Sequence, residues 1–353
     1  MAKKKDLNLS EKDEEKNLVQ VGDHMVDTNT GEVVLGKQDI KKIFSSLADY
    51  KSKTKNKEVE YKPQEWIPMS HAFQEVTRLP GIPEGHTIMV YGKSDVGKTT
   101  MLCELAVSAQ KKGILPVLII TEKKWNWSRI ESMGFDRDAC LYIDGVEYIE
   151  QGIDFIADVL RDQENGKLKY DLVFLWDSIG ATPSKAEFDS NEEGSGKGMM
   201  VTAKLLKEKV TRFISHKISN SRKADYPYTN TLFFVNHGYI SPPALPGGQP
   251  TLIPNGGDAI IYASTLVFRM GGVKSNSSKV TATKDGHTVA FAIKSALVVE
   301  KNHITNVQAS GKLLCVDGGF ILDDAKEIDE YKKRTRDGWD LQFDKFWNQV
   351  SVE

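Results

Sequence analysis

Cysteine is scarce. The chain of 353 residues has three, Cys103, Cys140 and Cys315, far apart and odd in number. That argues against a disulfide framework, and no pair has metal-ligand spacing. The expected setting is a reducing, cytosolic compartment. No apolar run approaches the roughly 18 residues that a membrane span needs, so no membrane partner is expected. The opening Met1-Ala2-Lys3-Lys4-Lys5 runs on into charged residues, unlike a secretory signal. Its lysines read as a solvated tail, with contact to a polyanion as the alternative. An excess of charge of one sign is also lacking, since the net charge is −2. Such a balance does not mark a nucleic-acid binder, although a local basic groove is compatible with a neutral average. No internal repeat is visible.

What is present is the make-up of a globular protein, 40% apolar and 27% charged. A chain of this size can bury a large core, in one large domain with additions or in two domains. His24–Asp27 and Glu32–Leu35 flank Thr28-Asn29-Thr30-Gly31 and read as a hairpin. Ile40, Ile43, Phe44 and Leu47 share one helical face, and the Lys/Glu-rich run 51–63 reads as a linker. From about residue 65 strand and helix patterns alternate to about 270, which predicts an α/β fold with a mostly parallel twisted sheet flanked by helices. The expected division is an N-terminal segment 1–64, a core 65–320 and a C-terminal segment 321–353. In the last of these Trp339, Leu341, Phe343, Phe346 and Trp347 suit a small packed subdomain more than a docking segment.

One motif carries chemistry outright. The apolar run Thr87–Tyr91 meets Gly92-Lys93-Ser94-Asp95-Val96-Gly97-Lys98-Thr99, and an amphipathic helix follows with Met101, Leu102, Leu105, Ala106 and Ala109 on one face. This is G-x-x-x-x-G-K-[ST] in its required strand–loop–helix setting. The glycines let backbone N–H groups turn inward onto phosphate oxygens, and the helix adds its positive end. Lys98 supplies a charge for the outer phosphates, and Thr99 a hydroxyl for Mg²⁺. The phosphate-binding run is taken as Gly92 through Thr99 plus Thr100. Asp95 is an oddity beside a triphosphate and is expected to point outward. The bland reading, a Gly-rich turn with a surface lysine, fits the flanking pattern poorly.

Leu172-Val173-Phe174-Leu175-Trp176-Asp177 is an apolar strand ending in an acid. Asp177 is thus the second expected Mg²⁺ residue, directly or through water; alone, a strand-terminal Asp reads equally well as a cap. Glu122 ends the strand after the phosphate-loop helix, where it can activate water or be a surface loop acid. Asn236-His237 ends the buried strand Leu232–Val235 and offers a γ-phosphate sensor or a mere strand cap.

Taken together, residues 65–320 resemble the RecA recombinase family, and most closely its phage UvsX-type branch. The resemblance rests on Glu122 followed by Gly134-Phe135-Asp136, on Asp177-Ser178-Ile179-Gly180-Ala181, on Asn236-His237, and on Gly256-Gly257-Asp258-Ala259-Ile260-Ile261-Tyr262-Ala263-Ser264. It implies Glu122 as general base and His237 as γ-phosphate sensor. It places Asn126 and Arg129 at the adenine and makes Lys301 a residue that reaches a neighbouring subunit's ATP. Two DNA-binding loops would lie at about 185–199 and 238–257, with Lys185, Lys197 and Gly198 in the first and Gly247, Gly248, Asn255, Gly256 and Gly257 in the second. The first loop departs from expectation, because Glu187, Asp189, Glu192 and Glu193 repel phosphate; Gly194, Gly196 and Gly198 could still offer N–H groups. Lys93 stands where the family often has Pro. The implied activity is DNA-dependent hydrolysis of ATP with Mg²⁺, in a helical homo-oligomer that pairs single-stranded with double-stranded DNA. A ring helicase, a nucleotide-gated mediator and, more distantly, a small-molecule kinase are the rivals. A phage origin would put the protein in the host cytoplasm.

Overall fold

The computed structural model describes residues 18–21, 24–27, 33–34, 59–192, 204–243, 248–256, 258–271, 278–284 and 287–334. The expected helix at 40–47, the turn at 28–31 and the aromatic residues after 334 lie outside them. The chain divides into two units, Met1–Val59 and Glu60–Glu353. In the first, β1 (Leu18–Val21), β2 (His24–Asp27) and β3 (Val33–Val34) pair in that order as an antiparallel sheet.

The second unit opens with β4 (Trp66–Pro68), helix α1 (His71–Thr77) and β5 (Gly81–Pro83), which returns to pair with β4. The phosphate-loop strand β6 (Thr87–Gly92) leads to α2 (Lys98–Lys112), and β7 (Leu115–Ile120) follows. Then come α3 (Trp127–Ser132), β8 (Leu141–Ile143), α4 (Ile149–Glu164), β9 (Leu172–Asp177) and α5 (Lys185–Glu192). A π-wound stretch α6 (Leu206–Ile214) continues as α7 (Ser215–Asn220) into the long β10 (Asn230–Ser241). The remainder is β11 (Thr251–Pro254), α8 (Asp258–Ala263), β12 (Leu266–Met270), β13 (Ser278–Lys284), β14 (His287–Asn302), β15 (Ser310–Val316), β16 (Gly319–Leu322) and α9 (Ala325–Arg334).

Parallel strands stand in the order β12-β6-β10-β9-β7-β8, and β14, β15 and β16 extend the β12 edge antiparallel. Every residue of β6 and β9 is buried, as a strand covered on both faces requires. Successive side chains feed opposite cores. Ile88, Val90, Val173, Leu175, Phe233 and Val235 pack with Met101, Leu102 and Leu105 of α2. Met89, Tyr91, Phe174, Trp176, Leu232 and Phe234 pack with Ile153 and Ile156 of α4 and Val210 and Ile214 of α6. Gly113 ends α2 with φ 82°, as read from the sequence. The antiparallel edge had no counterpart in the sequence reading beyond a core running to 320. Among the described residues no helix is long and apolar enough to cross a membrane.

His86, in the turn before β6, is buried and its Nε2 lies 2.9 Å from Gln64 Oε1. Burial, and then the nearby Arg222 charge, pull its pKa from 6.5 to about 4. The ring is therefore neutral in the fold, while the unfolded chain takes up a proton below about 6.5. Stability should be full above that value and fall as pH drops toward 4, by about 3 kcal/mol at most. Urea unfolding between pH 7 and pH 4 checks this, with His86→Gln expected to flatten its share of the loss.

Candidate active site

The carboxyl ends of β6, β7, β9 and β10 converge, and a cleft of about 350 Å³ opens there, within the range of small-molecule sites. Register explains the convergence: His237 is opposite Gly92 across β10–β6, and Ile120 is opposite Asp177 across β7–β9. Gly97 holds φ 95° as the residue before α2, a conformation that suits glycine, and it aims the helix start at the cleft. Asp95 also has positive φ, 59°, and is exposed. It nonetheless lines the cleft, and its charge acts on Lys98.

Lys98 is buried, and its Nζ donates to the Lys93 carbonyl at 2.5 Å. Burial lowers its pKa, while Asp177, Glu122 and Asp95 pull the other way. Thr99 Oγ1 donates to Asp177 Oδ2 at 2.7 Å. Asp177 is 2% exposed, and burial raises its pKa to about 6 despite Thr99 and Lys98. A buried carboxylate with one hydroxyl partner, in a cleft lined by phosphate-type donors, is the donor set of a hard divalent cation such as Mg²⁺, which takes few protein oxygens and leaves the rest to phosphate and water. No cluster of three or more His, Cys, Asp or Glu is found among the described residues.

Glu122 is brought to the same place. Its Oε1 lies 3.3 Å from Ser178 Oγ and 3.3 Å from His237 Nε2, and its backbone N–H donates to the Asp177 carbonyl. Ser178, which sequence reasoning left without a role, is fully buried and follows a cis peptide bond from Asp177. Thr121 Oγ1 donates to the Asp177 carbonyl and accepts from the Ser178 N–H, tying β7 to β9 at this point.

Thr100 lines the cleft as well. Thr100 Oγ1 accepts from Arg129 Nη2 at 2.7 Å and from Cys315 Sγ at 3.0 Å, so its hydroxyl is engaged within the protein. Arg129 lines the cleft, whereas Asn126 caps α3 by accepting from the Arg129 N–H and is not among the lining residues. The neighbouring Trp125 lines it instead. Lys301 is also outside the lining; its Nζ donates to the Ile261 and Tyr262 carbonyls, at 2.8 and 3.4 Å, at the negative end of α8. Lys185 is exposed, pairs with Asp189 and opens α5. Gly248 is exposed, Gly256 has φ 88° and Asn255 is half-buried. Gly194, Gly196, Lys197, Gly198, Gly247 and Gly257 lie outside the described residues. The cleft also takes Ile293 and Cys315, opposite one another across β14–β15; no local sequence signal marks either.

Residues 34–291 match the family model described as the RecA N-terminal domain. Similar curated proteins include Protein RecA of a Nitratiruptor species, 26% identical over 206 residues, 57% of this chain and 54% of that protein. Protein RecA of Fusobacterium nucleatum subsp. nucleatum is 30% identical over 205 residues, 57% of this chain and 49% of that protein. Protein RecA of Aquifex aeolicus is 28% identical over 227 residues, 63% of this chain and 60% of that protein. The chain thus spans about half the length of the curated relatives it matches.

Proposed function

Because the chain belongs to the RecA N-terminal domain family, we propose that it is an ATP-dependent DNA recombinase that assembles on single-stranded DNA and pairs it with a homologous duplex. The observation that carries this reading is the meeting of Glu122 with His237 and Ser178 beside the Thr99–Asp177 pair. A water-activating carboxylate, a polar sensor and a cation site share one cleft. In this reading Gly92–Thr99 cradle the triphosphate through backbone N–H groups, and Lys98 leaves the Lys93 carbonyl to meet its outer phosphates. Thr99 and Asp177 would hold Mg²⁺, which would supply charge neutralisation at the phosphates.

Glu122 accepts the proton of the attacking water. Its Oε1 has His237 and Ser178 as neighbours. A γ-phosphate that draws His237 away would free the carboxylate for water. His237 lies within β10, whose far end runs into the second expected DNA loop, so the same movement reaches the DNA-binding side. ATP at subunit interfaces, with Lys301 reaching the neighbour's nucleotide, and a head-to-tail interface that does not close would give an open filament. Kinship with the phage UvsX-type branch belongs to the same proposal and rests on Asn236-His237.

The test is steady-state ATP hydrolysis with and without single-stranded DNA. Strong stimulation is the expected result, weakening as salt rises in proportion to the phosphates contacted. Hydrolysis indifferent to DNA overturns the recombinase reading and leaves an ATPase with another partner. Closed six-fold rings in micrographs would favour the helicase.

A further inference from the structure

Behind the cleft, three backbone segments that are remote in sequence are joined by one knot of amide groups. Asn236 is fully buried. Its Nδ2 donates to the Asn255 carbonyl at 2.8 Å, and Asn255 Nδ2 donates to the Gly180 carbonyl at 3.0 Å. The Asn255 backbone N–H donates to the His237 carbonyl at 2.9 Å. Exchanging O and N on Asn236 would set oxygen against the Asn255 carbonyl, so its orientation is fixed by this contact. Its Oδ1 then faces Gly180. A Cβ at Gly180 would fall 1.9 Å from that oxygen and 2.9 Å from the His237 nitrogen, so a side chain here would force the Asn236 amide to shift.

We propose that Asn236, Asn255 and Gly180 form a positioning clasp that makes affinity for single-stranded polynucleotide depend on the nucleotide state of the cleft. The proposal rests on the recombinase reading above. Gly180 is the root of the segment that follows Asp177-Ser178. Asn236, within β10, and Asn255, just after β11, bracket the paired strand ends Gly238–Ser241 and Thr251–Pro254 that carry the second expected segment. The clasp therefore links both expected polynucleotide segments to each other and to His237, the next residue after Asn236, which itself touches Glu122.

A purely structural role explains the knot poorly. Asn236 Oδ1 is buried with no hydrogen-bond partner among the described residues. An unmet acceptor in a core is costly. Such an acceptor beside Gly180 and the His237 nitrogen suits a hub whose second arrangement satisfies it. Two arrangements biased from both ends are what energetic coupling between sites requires.

The test uses Asn255→Ala, which deletes the donor to Gly180 and keeps both backbone contacts of residue 255. Asn255→Asp, of the same size and lacking that donor, is the second variant. A fluorescent oligo-dT is titrated at fixed salt with no nucleotide and with a slowly hydrolysed ATP analogue, and melting temperature is followed in parallel. In the wild type the two affinities should differ by a factor in the range of linked sites, roughly 5 to 150. In both variants the ratio should fall toward one. Loss of a mere DNA contact at Asn255 would weaken both states alike and leave the ratio intact. A preserved ratio, with or without a lowered melting temperature, overturns the clasp alone. A wild-type affinity indifferent to nucleotide overturns the recombinase reading and the clasp together.

Discussion

Glu122→Gln is expected to lower ATP turnover by roughly 10²- to 10⁴-fold, the share of rate a positioned general base supplies. The substitution is almost isosteric. Ser178 Oγ–H and a His237 ring N–H can donate to an amide oxygen as they do to Glu122 Oε1, both from 3.3 Å. The cleft should therefore keep its shape and its nucleotide, while the side chain can no longer take a proton from water. Single-turnover hydrolysis measured beside nucleotide affinity separates the two effects. Less than a tenfold loss removes Glu122 from the role of base. A parallel loss of affinity makes it a brace for β7 and β10 instead.

Lys98→Ala is expected to cost both affinity and rate, with turnover falling roughly 10²- to 10³-fold, as when a preorganised charge is removed from a transition state. The physical reason lies in its setting. Lys98 is buried with three carboxylates in range, Asp177, Glu122 and Asp95. Without the ammonium these acids face an incoming triphosphate with only Lys124 and Arg129 among the lining cations to oppose them. Thermal unfolding gives the cleanest readout. Nucleotide at a hundred times its Kd should stabilise the wild type by about 2.7 kcal/mol, and the same concentration should barely move the variant. If Lys98→Ala keeps the nucleotide-dependent shift, the cleft is not a phosphate site of the proposed kind.

Much of the cleft was legible because much of it is local. Gly92 to Thr99 is one turn between a strand and a helix, and the covalent chain alone puts its glycines, Lys98 and Thr99 on one loop. Asp177, Glu122 and Asn236-His237 were legible as polar residues ending apolar strands. Their meeting was not, because an apolar run reports that a strand is buried on both faces and says nothing of which strands flank it. A one-residue step along the chain before α3 decides which side chain faces the cleft, and here the Asn126 oxygen is spent on the helix start while Trp125 forms the wall.

By itself, then, the sequence determined the phosphate loop, the α/β alternation, the buried acid at Asp177 and the family, all through residues close in the chain or patterns with a short period. Tertiary structure alone decided the rest. It set β10 between β6 and β9, which brought His237 to Glu122. It folded β14 and β15 back as an antiparallel edge, so that Ile293 and Cys315 close the cleft, and it knotted Gly180, Asn236 and Asn255 together. Hydrogen bonds along a strand are nearly the same for any neighbour, so strand order is chosen by the packing of the two whole cores against their helices, a sum over residues that no local motif contains.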